Sequence, residues 1–193
     1  IPFLRHEAEA GRLSALVLDL DNVLLRPKGF LASEAQEHKS VRSVPREVVL
    51  RRRDRDERRM VAHGFFEPAA GLTEEDLREL AALRAQHGVA LIGATARPQK
   101  LEQRTKRMLD LIGLSLDQVL FTGGTGKNKV AEVSHALEAR GISIDRAVVV
   151  DDRRDNVGAL QQAGFRTILY DHPDPNHARL GAIWSGFIDR VNG

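Results

Sequence analysis

The sequence predicts an α/β fold, a parallel sheet sandwiched by helices, on three grounds. From Leu72 onward, helical stretches alternate with short extended ones. The extended ones are apolar throughout, as in Ala147-Val148-Val149-Val150, which is the pattern of strands covered on both faces. Four helical stretches close on a glycine, at Gly88, Gly113, Gly141 and Gly164, and an apolar segment follows each. Glycine just past a helix takes the left-handed conformation without a Cβ penalty, so these positions mark helix ends. With 193 residues, 42% hydrophobic and 29% charged, the chain can bury one full core and carry one large insertion.

The first strand is the apolar run Leu16-Val17-Leu18, which ends in Asp19-Leu20-Asp21. Residues two apart in a strand point the same way. At ~4 Å and an effective dielectric near 20, two carboxylates so placed repel by about 4 kcal/mol, which calls for a cation, a shared proton or divergence at the strand end. Residues 26–71 differ in character: they are rich in Arg, Glu and Pro and show no sheet-like strand. They are expected to form a small, mainly helical insertion into a core of residues 1–25 and 72–193. Ser43-Val44-Pro45 can start a helix running through the Arg-rich stretch to Arg59, either as a solvated face of i, i+4 ion pairs or as a cationic wall over an anionic substrate.

After the insertion, Thr73 caps a helix whose first turn carries Glu74, Glu75 and Asp76. Leu72 is placed to staple against Leu77, and Leu77, Leu80 and Leu83 form the inner face. Leu101, Met108, Leu109 and Ile112 mark a second helix, and Val130, Val133 and Leu137 a third; Val157 and Leu160 mark another after residue 152. The strands between are residues 89–92, 119–121, 147–150 and 167–170. Pro173, Pro175 and Trp184 fall in a turn and closing helix with no assigned chemistry.

Composition narrows the function. A net charge of +2 does not argue for nucleic acid or membrane as partners, even with a pI near 9.2. No run approaches the roughly 18 apolar residues of a membrane span, and the start lacks a signal peptide's apolar stretch. A cytoplasmic location is expected, with export after signal removal the alternative because position 1 is Ile. The absence of cysteine excludes disulfides and thiolate metal sites, and no two of the seven histidines sit at i, i+3 or i+4.

In an open parallel sheet, ligands bind beyond the carboxyl ends of the strands. Asp19 and Asp21, Thr95, Lys127 and Lys129, and Asp151 and Asp152 all follow predicted strands. Each has a plainer use: Thr95 or an aspartate can cap a helix, and lysines are commonly surface residues. Gly126-Lys127-Asn128 hints at a phosphate-binding P-loop, but Phe121 and Asn128 stand where that pattern needs Gly and Ser or Thr.

The order of these motifs, Asp19-Leu20-Asp21-Asn22-Val23, then Thr95, then lysine, then Asp151-Asp152, closely resembles the four-motif signature of the haloacid dehalogenase superfamily. The resemblance covers residues 13–30 and roughly 68–172. Ala94-Thr95-Ala96-Arg97 and Val150-Asp151-Asp152-Arg153 also look like a bacterial branch known mainly as a domain of unknown function. The resemblance implies a Rossmann-like sheet with the insertion as its cap, and phosphatase activity. It implies Asp19 as the nucleophile, Asp21 as acid and base, Thr95 as a phosphoryl-oxygen ligand and Lys129, or else Lys127, as the balancing charge. It further implies Mg²⁺ held by Asp19, the main-chain carbonyl of Asp21, and Asp151, with Asp152 or Asp155 completing the site. Asp21 favours phosphate-ester hydrolysis over dehalogenation, which needs no acid there. The expected activity is Mg²⁺-dependent hydrolysis of a small phosphorylated metabolite through an aspartyl-phosphate. The alternatives are a noncatalytic metal- and phosphate-binding protein and a nucleic-acid-end phosphatase using the Arg-rich segment.

Overall fold

A computed structural model describes residues 2–20, 23–27, 66–68, 73–97, 99–122 and 126–170. In chain order these form α1 (Pro2–Glu9), β1 (Ala15–Asp19), β2 (Leu25–Pro27), β3 (Phe66–Pro68), α2 (Glu74–His87), β4 (Ala90–Thr95), α3 (Glu102–Leu111), β5 (Gln118–Phe121), α4 (Gly126–Glu138), β6 (Ala147–Asp151), α5 (Arg154–Gln162) and β7 (Arg166–Leu169). Five of the strands make one sheet in the order β5-β4-β1-β6-β7, with every neighbouring pair parallel.

The unbroken apolar strands have a direct explanation in β1. Leu16 and Leu18 enter one core with Leu80, Leu83, Met108 and Leu109, while Ala15 and Val17 enter the other with Val133, Leu137 and Leu160. Alternate side chains of one strand therefore feed two cores, and no position on it can be polar until the strand ends. That end falls at Asp19, paired in register with Ala94 of β4. The chain runs from β1 outward to β4 and β5, then returns across the sheet through α4 to β6 and β7, so the strand order reverses beside β1. A reversal of this kind leaves a crevice at the carboxyl ends of the central strands.

Helix α2 is bounded as its sequence signals. Thr73 Oγ1 accepts from Asp76 N at 3.1 Å and Asp76 Oδ2 accepts from Thr73 N at 2.8 Å, a reciprocal cap. Gly88 closes the helix at φ 66°. Leu80 and Leu83 are buried, Leu77 partly so, and the staple residue Leu72 lies outside the described residues.

Three features depart from the sequence reading. Helix α1, to which no element was assigned, packs Leu4 and Ala8 into the core, and Glu7 accepts from Arg12 and from Arg166 at the start of β7. Those contacts join distant parts of the chain and leave no local period. The stretch expected to form the insertion has strand at its borders: β2 and β3 pair antiparallel, Leu25 with Pro68 and Pro27 with Phe66. Three residues ending in proline are too short to show alternation, and proline is tolerated at strand edges. Strand β4 runs to Thr95 through Gly93, beyond the expected residue 92. The helix expected from Ser43, the Arg-rich stretch and residues 171–193 lie outside the described residues. Among the described residues, no helix is long and apolar enough to cross a membrane.

Candidate active site

Strands β1, β4 and β6 deliver Asp19, Thr95 and Asp151 to the same edge of the sheet, where they are 8%, 0% and 0% exposed. Lys129 comes to them from the first turns of α4 and is itself 2% exposed. Its Nζ donates to Asp19 Oδ1 at 2.6 Å and to Asp151 Oδ2 at 2.5 Å. Burial pushes the lysine pKa down, but the charges of Asp19 and Asp151 and their hydrogen bonds outweigh it and hold the pKa above the ordinary 10.5. The ammonium is thus kept charged at neutral pH.

Asp151 is held on both oxygens. Arg153 N donates to Oδ1 at 2.9 Å, and Asn156 Nδ2 lies 3.1 Å from each oxygen. Asp152 adjoins the pair: Asp19, Asp151 and Asp152 each offer a carboxylate oxygen within 4.8 Å of the others. Lys129 bonds to two of these three carboxylates, and an all-oxygen donor set of this kind suits a hard divalent cation.

Lys129 reaches the carboxylates, and the side chain of Lys127 lies outside the described residues. Asp152 and Asp155 separate on geometry. Asp155 is turned away: it is largely exposed and paired with Arg153 at 2.6 Å, whose guanidinium holds its carboxyl below the usual 3.8. Asp152 is the acid placed in the cluster. Neither Thr95 nor the aspartates are the N-cap residues of α3 and α5, which are Leu101 and Arg153, both without a side-chain cap bond. Thr95 Oγ1 instead accepts from Arg97 N at 3.2 Å, which leaves its own proton to be donated elsewhere. Asp21 lies outside the described residues.

Sequence reasoning missed Asn156 and gave Arg97 no role beyond its place in a motif. Asn156 sits five residues after Asp151 in the first turn of α5, a spacing that a search for acids alone passes over. Arg97 is buried, its Nη1 3.5 Å from Thr105 Oγ1 and from Met108 Sδ on α3. Two surface hollows of about 500 and 380 Å³ lie along α2, α3 and the turn before β5, away from every one of these residues.

No family model and no curated protein matches the sequence. Solved structures do. A candidate beta-phosphoglucomutase of Thermotoga maritima is 20% identical with a TM-score of 0.62, covering 90% of this chain and 92% of its own. A HAD family hydrolase of Deinococcus radiodurans, solved with bound phosphate and sodium, is 18% identical with a TM-score of 0.56, covering 90% and 88%. A haloacid dehalogenase-like hydrolase of Streptococcus pneumoniae is 12% identical with a TM-score of 0.59, covering 82% and 85%. Together with the sheet order and the crevice beside β1, these neighbours show that the chain has the fold of the haloacid dehalogenase-like hydrolases.

Proposed function

We propose that this chain is a Mg²⁺-dependent phosphomonoester hydrolase that acts on a small phosphorylated metabolite through an aspartyl-phosphate. The observation that carries the reading is the buried Lys129 ammonium bonded to both Asp19 and Asp151, with Asp152 in reach of the same space. A purely structural ion cluster has little reason to gather three acids at the open end of a sheet. The names of the structural neighbours, a phosphoglucomutase and hydrolases among them, and the phosphate bound in one, support the same reading.

Mg²⁺ fits the donor set of Asp19, Asp151 and Asp152, which would hold it together with the main-chain carbonyl of Asp21. When bound, it offsets the negative charge of the carboxylates and the phosphate. The chain's own residues do the rest. An Asp19 oxygen attacks phosphorus as the ester oxygen leaves, and Asp21 gives that oxygen its proton. Water then attacks the aspartyl-phosphate, Asp21 takes back a proton, and orthophosphate departs with Asp19 restored. Dividing one displacement into two lets a weak carboxylate nucleophile serve, because position and charge compensation carry the barrier. Lys129 orients Asp19 and faces the charge that builds on the phosphoryl oxygens, and the Thr95 hydroxyl donates to one of them.

Hydrolysis of an aryl phosphate with Mg²⁺ tests the reading. Wild type should turn over and Asp19→Asn should not; equal rates for the two would overturn it.

A further inference from the structure

We infer that Thr122 and Asn128 form a brace that aims Thr95 and Lys129 at one phosphoryl group, an inference that rests on the phosphatase reading above. Thr122 follows β5 and is 6% exposed. Its N–H donates to the Thr95 carbonyl at 2.8 Å, and its hydroxyl donates to that same oxygen at 3.1 Å. The backbone bond alone would satisfy the carbonyl, so the hydroxyl supplies a second constraint on the residue whose side chain faces substrate. The other side of Thr122 is also engaged: its carbonyl accepts from Asn128 Nδ2 at 3.3 Å.

Asn128 stands immediately before Lys129, and the segment joining Thr122 to α4 contains Gly123 and Gly124. The Asn128 side chain bonds to the Thr122 carbonyl and so links the residue after β5 to the start of α4. The Thr95 main chain is thereby linked through Thr122 to Asn128, the residue that precedes Lys129. Thr122 and Asn128 are positioning residues, since both act through neighbours.

The test uses three variants of the whole chain. Thr122→Val keeps the branched shape and removes the hydroxyl, Thr122→Ser keeps the hydroxyl, and Asn128→Ala removes the second link at an exposed position. Orthophosphate binding with Mg²⁺ is read by calorimetry, alongside melting temperature and aryl phosphate kinetics. Thr122→Val and Asn128→Ala should each weaken orthophosphate binding about 3- to 10-fold, with Thr122→Ser within about 2-fold of wild type, as loss or retention of one hydrogen bond implies. A lower melting temperature with unchanged orthophosphate affinity would make the contacts merely structural and overturn the inference. Wild type that binds orthophosphate without turning over an ester would remove the phosphatase reading while the affinities still decide the brace. Wild type that does neither overturns both.

Discussion

Lys129 stands between Asp19 and Asp151 where water barely reaches, and removing its charge leaves the two carboxylates facing each other. Breaking a buried pair in this way costs about 3 kcal/mol or more, so Lys129→Met should melt well below wild type. Mg²⁺ should raise the melting temperature of that variant more than that of wild type, because the cation replaces the missing charge; thermal denaturation with and without Mg²⁺ checks this. Asn156 holds both oxygens of Asp151, and its loss frees the carboxylate to rotate. Asn156→Ala should therefore bind Mg²⁺ about 10- to 100-fold more weakly, measured by calorimetry. At this scale the acids and Thr95 were legible because carboxylates and a hydroxyl at the ends of apolar strands have few other reasons to be there. Lys129 is the better candidate in sequence because it opens the helix that carries Val130, Val133 and Leu137. Asp152 and Asp155, by contrast, offer the same chemistry at nearly the same place, and only the direction of each side chain separates them.

The elements that place these residues are legible where their signals are local. The cap at Thr73 and the left-handed Gly88 bound α2 as expected, and Thr73→Ala should cost about 1 kcal/mol, read as a lower denaturation midpoint. Helix α1 was missed because ion pairs to Arg12 and Arg166 hold it, and β2 and β3 because three residues show no period. Gly93 is a further case of a long-range cause. A Cβ there would sit 2.8 Å from Leu116 Cδ1 and 3.0 Å from Leu20 Cδ2. Leu20 is fully buried and adjoins Asp19, so crowding at Gly93 presses on the end of β1 that carries Asp19, the proposed nucleophile. Gly93→Val should destabilise the fold by about 1–3 kcal/mol and lower kcat of the folded fraction, a pairing that stability and rate measurements together will reveal.

Across the whole molecule, the strand order brings residues from β1, β4, α4 and β6 to one edge, while the opposite end is tied by Glu7. Its bonds to Arg12 first, and then to Arg166, hold the Glu7 carboxyl below the usual 4.5 despite burial, which pushes the other way. A lowered folded-state value means that this stabilisation is complete above the unfolded value and is lost as pH falls through the folded one. Glu7→Gln should flatten that acid limb in melting curves and leave turnover at neutral pH unchanged. The topology itself was legible from alternation and glycine stops, whereas the sheet order was not, since no local signal says on which side of β1 a later strand will pair.

The central claim is that Asp19 carries the phosphoryl group. Acid-quenched wild type and Asp21→Asn, mixed with Mg²⁺ and an aryl phosphate, can be digested and mapped by mass spectrometry. The account predicts a phosphoryl adduct on Asp19, enriched in Asp21→Asn because the second step lacks its base, and absent from Asp19→Asn. Orthophosphate release at an undiminished rate by Asp19→Asn would contradict it.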